Sequence, residues 1–391
     1  MHISVVGGGG RVGLPMSLLL ASIGHKVTII EKDVFRVQQI NEGVMPFFEE
    51  GCSNLLNSLD PGQIVATLDS SKILDTEICI LIIGTPVDSN GNPNSKLISD
   101  LVSSLVPFLT NLKLLMLRST IYPGVTKSLE TILKKSHLKT ELAFCPERIS
   151  EGNALAELQS LPQIIGVDTD EAFKLSSEVF KGIAPKFIRT TFEEAEITKL
   201  FANSYRYLSF AISNEFFEIC QSSNLDWEKV WFALTSDYPR AAGLPKPGFA
   251  AGPCLVKDTQ QLNYFYQNNF KLGKISLEIN EGLPEFYLQF LKKNFLLSES
   301  TIGILGMTFK GDVDDFRSSL SFKLKSLLEL EGARVLCSDE MLQKDYFIEA
   351  HKLIESSDVV IVATPHKSYR NLSINKPLID LWRVTKRPSL F

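Results

Sequence analysis

Apolar residues in this chain come in short continuous runs separated by stretches of helical spacing, and that rhythm predicts its elements. His2-Ile3-Ser4-Val5-Val6, Lys26-Val27-Thr28-Ile29-Ile30 and Ile78-Cys79-Ile80-Leu81-Ile82-Ile83 read as strands buried on both faces, as in a parallel sheet. Between the first two, Leu14 to Ser22 is apolar enough for a buried helix. The plan recurs near the C-terminus. Thr301 to Gly306 is a strand running into a glycine turn, and segments 333–339 and 357–365 repeat the pattern of 25–31 and 75–86. Each repeat reads as a buried parallel strand pair with a turn at its carboxyl end. From 192 to 290 the spacing becomes helical, with few glycines before Gly243. The pattern predicts an α/β protein: two Rossmann-like doubly wound domains joined by a central helical segment, divided as 1–191, 192–290 and 291–391.

The first strand runs straight into Gly7-Gly8-Gly9-Gly10-Arg11-Val12-Gly13. Gly8, Gly10 and Gly13 have the G-x-G-x-x-G spacing of a dinucleotide turn: a tight bend, close backbone approach to a pyrophosphate, and close helix packing. Arg11 and Val12 lie within it, at the start of a helix whose N-terminus would face phosphate. Glu31 ends the second strand 18 residues beyond Gly13, where this fold places the acid that binds the adenosine ribose. A carboxylate there repels a 2′-phosphate, which favours NAD over NADP, with Lys32 and Arg36 pulling the other way. The C-terminal repeat lacks the third glycine, since Met307-Thr308-Phe309-Lys310 follows its turn. Only the first domain is expected to hold a dinucleotide.

A second chemical feature is Pro247-Gly248-Phe249-Ala250-Ala251-Gly252-Pro253-Cys254-Leu255-Val256-Lys257-Asp258. Cys254 follows a Gly/Pro-rich loop at the start of a helix, where backbone N–H groups favour the thiolate. Asp258, four residues on, shares its face. Lys199 and Asn203 are also four apart on one helix face, so an ammonium and an amide donor can stabilise one oxyanion. A thiolate suits the oxidation of an alcohol to an acid. It captures the aldehyde as a thiohemiacetal, whose second oxidation gives a thioester that water cleaves.

Composition narrows the class. The 391 residues are 44% hydrophobic with a net charge of −5, enough to bury two or three cores and without a basic patch for nucleic acid. No apolar run reaches the ~20 residues that span a bilayer, and the chain opens directly on a strand, so no membrane anchor or signal peptide is expected. The six cysteines are scattered as in a reducing, cytoplasmic protein, and the five histidines form no metal-ligand cluster with them.

The residues also match a family. Over nearly its whole length the chain resembles the UDP-glucose/GDP-mannose dehydrogenases, the nucleotide-sugar 6-dehydrogenases. The matches are, in order, the glycine turn with Glu31; Asn41-Glu42-Gly43 with Pro46 and Glu49; Gly84-Thr85-Pro86; Arg118-Ser119-Thr120 with Pro123-Gly124; and Pro146-Glu147-Arg148. They continue through Glu194 to Asn203, Asn214-Glu215, Pro239-Arg240, the Cys254 loop, and Phe309-Lys310-Gly311-Asp312 running to Asp315-Phe316-Arg317-Ser318.

The resemblance implies an NAD-dependent four-electron oxidation of a UDP-sugar C6 alcohol to a uronic acid for polysaccharide biosynthesis. It implies that Asp258 manages protons, that Thr120 hydrogen-bonds the attacking water and that Glu147 is the base for thioester hydrolysis. It extends the cofactor set to Arg36, Thr85, Thr120 and Arg317, and the substrate set to Glu147, Arg148, Lys199, Asn203, Arg240, Phe249, Gly252 and Lys310. It also implies a homodimer built on the central helix, with Arg240 reaching the partner's sugar-nucleotide pocket. The Pro-Glu-Arg segment with Glu151-Gly152 resembles the UDP-N-acetylhexosamine branch, whereas Lys-Leu-Phe-Ala-Asn and Cys-Leu-x-Lys-Asp resemble UDP-glucose enzymes. The expected substrate is a UDP-hexose with its 2-substituent open and GDP-mannose third. A β-hydroxyacid-type dehydrogenase performing a single two-electron step, and a non-catalytic nucleotide-sugar sensor, are the rival readings. The first needs no cysteine, and the second would have lost it.

Overall fold

The computed structural model describes residues 1–85, 96–385 and 387–390, so Pro86 of the Gly-Thr-Pro segment lies outside the described residues. The chain divides into two compact units, Met1–Ala202 and Asn203–Phe391. Neither contains a described helix long and apolar enough to cross a membrane.

The first unit runs β1 (His2–Val6), α1 (Gly13–Ser22), β2 (Lys26–Ile30), α2 (Val34–Asn41), α3 (Cys52–Ser58), β3 (Ile64–Thr67) and β4 (Ile78–Leu81). It continues α4 (Lys96–Leu105), β5 (Leu114–Leu117), α5 (Val125–Lys135), β6 (Glu141–Phe144), α6 (Ala154–Ser160), β7 (Gln163–Gly166), α7 (Asp170–Phe180) and β8 (Phe187–Thr190). Helix α8 (Phe192–Ser222) begins in this unit and ends in the next. The strands form one sheet in the order β3-β2-β1-β4-β5-β6-β7-β8. Its first six are the strand order of a dinucleotide-binding sheet. Strands β4 and β5 are buried along their whole length, as a parallel sheet covered on both faces requires. Helix α1 is buried from Gly13 to Ala21, which explains why its sequence is apolar all round.

The second unit adds α9 (Trp227–Thr235), α10 (Pro253–Phe265), α11 (Lys271–Asn294), β9 (Thr301–Leu305), α12 (Leu320–Leu330), β10 (Arg334–Ser338), α13 (Ala350–Ser356), β11 (Val359–Val362) and β12 (Leu378–Asp380). Its parallel sheet has the order β10-β9-β11-β12. Both units are therefore α/β, the first with a mainly parallel sheet and the second with a parallel one.

Two details differ from the strand pattern in the sequence. The repeated strands do not pair with each other. In each unit they flank the first strand, β2 and β4 beside β1 and β10 and β11 beside β9. A buried run reports burial but not its neighbour. The second detail is one antiparallel contact, Phe144 of β6 against Gly166 of β7, which the sequence pattern does not signal.

At the end of β1 the chain turns at Gly7, with φ +76°. A Cβ there would lie 2.1 Å from the Ile82 carbonyl oxygen. Gly7→Ala combines a left-handed backbone with a backbone clash and is expected to cost at least about 1–3 kcal/mol. Gly243, whose Cβ position is open, is the control. Thermal melting of the two alanine variants checks this: the Gly7 variant should melt several degrees lower, and equal melting would contradict the assignment.

Candidate active site

The glycine turn and its acid meet as the spacing predicts. Gly7 donates its N–H to Ile30 O at 2.7 Å, and Leu14 N–H reaches Gly10 O at 2.9 Å as α1 begins. Gly13 packs on Gly8, where a Cβ would lie 2.7 Å from the Gly8 Cα. Val12 is the N-cap residue of α1. The buried Glu31 carboxylate accepts the Gly9 N–H at 3.2 Å on one oxygen, and the Lys32 and Asp33 N–H groups at 2.8 and 3.3 Å on the other. A Cβ on Gly9 would stand 2.8 Å from that carboxylate. A backbone stripped of side chains beside an oriented acid fits a dinucleotide. The turn residue itself, Gly7, lies just before the first glycine of the motif. Arg36 lies 3.6 Å from Asp33, which caps α2, and Arg11 lies 3.9 Å from Glu151 with its guanidinium over the Phe47 ring. Thr85 donates to the Thr120 carbonyl at 2.6 Å, and Ser119 accepts the Ile83 N–H at 2.8 Å, which stitches together the segments after β4 and β5.

Glu147 follows β6 and is buried against Arg118, whose side chain has no exposed surface. Arg118 also donates to Gln163 at 2.9 Å, and the second Glu147 oxygen accepts the N–H groups of Arg148 and Ile149 at 2.7 and 3.0 Å. The surroundings of Glu147 are thus an ion pair and backbone donors, not an apolar pocket. Arg148 turns its guanidinium to the Pro162 carbonyl. Glu49 ties down the loop beyond by accepting from Gly152 and Ala154 N–H at 2.9 and 2.7 Å.

Helix α8 carries Glu196, Lys199 and Asn203 at helical spacing. Fully buried Glu196 caps the start of α5, accepting from Gly124 N–H at 2.6 Å and from Thr126 N–H and hydroxyl at 2.9 and 2.5 Å. Burial raises its carboxyl pKa above the ordinary range. Lys199 is 8% exposed and has no hydrogen-bond or ion-pair partner among the described residues. An ammonium held this way is costly unless an anionic or carbonyl oxygen reaches it. Asn203 donates to the fully buried Asp258 at 2.6 Å, and Lys257 lies 3.5 Å from the other Asp258 oxygen.

The segment leading to Cys254 is held from several sides. Trp231 donates to Leu244 O at 3.3 Å, Ser213 to Pro245 O at 2.6 Å, and Lys246 pairs with Glu228 at 2.8 Å. Phe249 turns inward, its ring 5.8 Å from that of Tyr287, so its side chain belongs to the core. Gly252, with φ +105°, is the N-cap of α10, where a Cβ would lie 2.6 Å from the Phe309 ring. Arg240 stands apart, exposed in the turns between α9 and α10.

Beyond β9, Lys310 is half-buried, and its carbonyl accepts from Thr308 at 2.9 Å. Arg317 grips Asp315 with its Nε at 3.0 and 2.9 Å from the two oxygens. Asp339 stands after β10 as Glu31 does after β2, but its carboxylate is committed to Met307 N–H at 2.6 Å, Thr308 N–H at 3.0 Å and His366 at 3.2 Å. Asp312, Glu340 and His366 come close enough to surround a cation. However, the His366 Nδ1 accepts the Asp312 N–H at 3.0 Å, and Asp312 pairs with Lys367 at 3.3 Å, so that chemistry is used internally.

Sequence models of one family match three consecutive parts of the chain. These are the UDP-glucose/GDP-mannose dehydrogenase NAD binding domain at residues 1–184, the central domain at 193–282 and the UDP binding domain at 303–387. The chain belongs to the UDP-glucose/GDP-mannose dehydrogenase family. It is an NAD-dependent UDP-sugar dehydrogenase. A UDP-N-acetyl-D-mannosamine dehydrogenase from Methanococcus maripaludis is 30% identical over 387 residues, covering 95% of this chain and 87% of that protein. A UDP-glucose 6-dehydrogenase from Haloferax volcanii is 26% identical over 392 residues, covering 93% and 91%. The solved UDP-D-ManNAc dehydrogenase from Pyrococcus horikoshii superposes with a TM-score of 0.91 at 25% identity, covering 100% of this chain and 97% of that one.

The dehydrogenase has six cysteines, and only Cys254 is exposed. Burial pushes the thiols of Cys52, Cys79, Cys145 and Cys337 up to about 12 and raises that of Cys220. Those five are poor nucleophiles, because the thiolate is the reactive form. Brief iodoacetamide treatment of the native enzyme at neutral pH should therefore modify Cys254 first. Peptide mass mapping checks it, and initial alkylation at any other cysteine would contradict the assignment.

Proposed function

We propose that the enzyme oxidises the C6 alcohol of a UDP-N-acetylhexosamine to the carboxylate, with Cys254 as covalent nucleophile. The observation that carries this reading is the single exposed thiol at the N-terminus of α10, on a loop held at both ends. The sugar class is supported by the relatives named for UDP-N-acetyl-D-mannosamine and by the Pro146-Glu147-Arg148 segment.

When bound, NAD supplies the hydride acceptor for each of two oxidations. The first removes a hydride from C6 and a proton from the hydroxyl, leaving an aldehyde. The Cys254 thiolate adds to that carbonyl, and its oxygen becomes the oxyanion that Lys199 and Asn203 stabilise. The second oxidation gives a thioester, which water cleaves to release the acid and restore the thiolate. Asp258, oriented by Asn203, manages the proton at the reacting oxygen. Thr120 hydrogen-bonds the attacking water, and Glu147, held by Arg118, is its base. Gly8, Gly10 and Gly13 with Arg11 and Val12 cradle the pyrophosphate, and Glu31 takes the ribose hydroxyls and selects NAD over NADP. Arg36, Thr85 and Arg317 complete the cofactor set. Arg148, Phe249 (through its backbone), Gly252 and Lys310 serve the substrate.

We divide the chain by role at 191 and 290, and place it in the cytoplasm, a reading supported by six cysteines of which none is in a disulfide.

A homodimer is part of the proposal. On α8, Tyr207 and Phe217 are buried, while Tyr205 (70% exposed), Ile212, Phe216 and Ile219 form an apolar stripe on its outer side. A stripe of that size on a long helix calls for a partner surface. We assign it to a second copy, with Arg240 reaching that copy's substrate.

Two measurements follow. Uronate formation should yield two NADH per UDP-sugar, fastest with a UDP-N-acetylhexosamine in a panel of UDP- and GDP-sugars, and Cys254→Ala should abolish it while NAD binding persists. One NADH per sugar indicates a simple dehydrogenase, and none indicates a sensor. For the dimer, inactive Arg240→Ala and Cys254→Ala subunits are mixed. Activity should return, since one pocket of each heterodimer holds both residues. A monomer in solution, or no recovery despite proven subunit exchange, excludes the shared pocket.

A further inference from the structure

The Cys254 loop is anchored at Gly248 by a buried amide pair that no catalytic role explains. Asn214 on α8 and Asn280 on α11 have no exposed surface. Asn214 Oδ1 accepts the Gly248 N–H at 2.9 Å, while its Nδ2 donates to the Gly248 carbonyl at 3.2 Å and to Asn280 Oδ1 at 2.9 Å. Asn280 Nδ2 in turn donates to the Tyr207 carbonyl of α8 at 3.0 Å. A primary amide offers two N–H donors and an acceptor, so both donors of Asn214 and its acceptor are engaged. Aspartate has the shape but no donor, leucine neither donor nor acceptor, and glutamine is a methylene too long. On the other side of Gly248 stands the Trp382 indole, where a Cβ would meet ring atoms at 2.5 Å, and Trp382 is fixed by its Nε1 to Ala363 O at 2.8 Å. Gly248 is gripped between an amide clamp and an aromatic wall.

We propose that Asn214, backed by Asn280, is a positioning residue that fixes the register of the Pro247–Gly252 loop and so the reach of the Cys254 thiol. The inference rests on Cys254 being the nucleophile. Buried amides of this kind could simply stabilise the fold, and the distinction is measurable. A nucleophile out of place by an ångström costs rate and not affinity. It also leaves the first aldehyde uncaptured, so part of the sugar leaves half-oxidised.

The test is Asn214→Leu, which keeps the γ-branched skeleton but neither donor nor acceptor, compared with wild type and Cys254→Ala. The expected result is a kcat about 10²-fold lower, KM values for UDP-sugar and NAD near wild type, and aldehyde trapped by hydroxylamine that wild type does not release. A folded Asn214→Leu with normal kcat and no aldehyde overturns the inference, and so does a loss of rate that tracks melting temperature without aldehyde release. Should that variant not fold, Asn280→Asp keeps the acceptor for Asn214 but loses the donor to Tyr207. It should shift the aldehyde fraction in the same direction by less, and an unchanged fraction there is equally contrary. The underlying reading fails separately: a fully active Cys254→Ala overturns both, whereas an inactive one beside a normal Asn214→Leu overturns only the positioning role.

Discussion

The chemistry proposed for this enzyme leans on the ability of α8 to bury polar side chains. Glu196, Lys199, Asn203 and Asn214 are each 8% exposed or less on one long helix, their spacings of three, four and eleven residues keeping them on one face. A buried polar group left without a partner costs about 1–3 kcal/mol, so each must hold something. Glu196 holds the start of α5 and the loop before it, Asn203 holds Asp258, and Asn214 holds Gly248. Lys199 is the exception. It is buried without a partner among the described residues, which suits a group reserved for a substrate oxygen. The helix thus carries the residues proposed for catalysis together with side chains that brace neighbouring loops.

The two sheets show how one fold plan is put to different uses. Each has a glycine turn after its first strand and an acid after its second. In the first unit Glu31 braces the turn at Gly9 beside a backbone without side chains, and the arrangement suits a dinucleotide. In the second, Asp339 is taken up by the turn itself and by His366. The glycine spacing and the partners of the acid, rather than the topology, separate the two turns.

Much of this was legible in the sequence, because the signals were local. The glycine spacing, the strand ending on Glu31, the Cys254 helix start and the Lys199–Asn203 interval all lie within one or two elements. What stayed hidden was non-local or ambiguous. Glu196 and Asn214 sit in quoted family segments, but their partners lie 70 and 34 residues away, so neither role could be derived from spacing. The motif spacing picks out Gly8, Gly10 and Gly13, yet the left-handed turn falls on Gly7, one residue before the motif begins. Phe249 entered the substrate set through the family resemblance alone, and spacing gave no sign that its ring packs into the core beside Tyr287. Strand runs announced burial without naming neighbours, so the placing of β1 between β2 and β4 emerged only in three dimensions.

The central claim is that the sugar passes through a covalent bond to Cys254. Rapid acid quenching of wild-type enzyme during turnover, followed by peptide mass mapping, tests it most directly. The account predicts a uronyl thioester on the Cys254 peptide that appears only when both UDP-sugar and NAD are present. Two NADH formed per sugar with no adduct on that peptide at any quench time would contradict it.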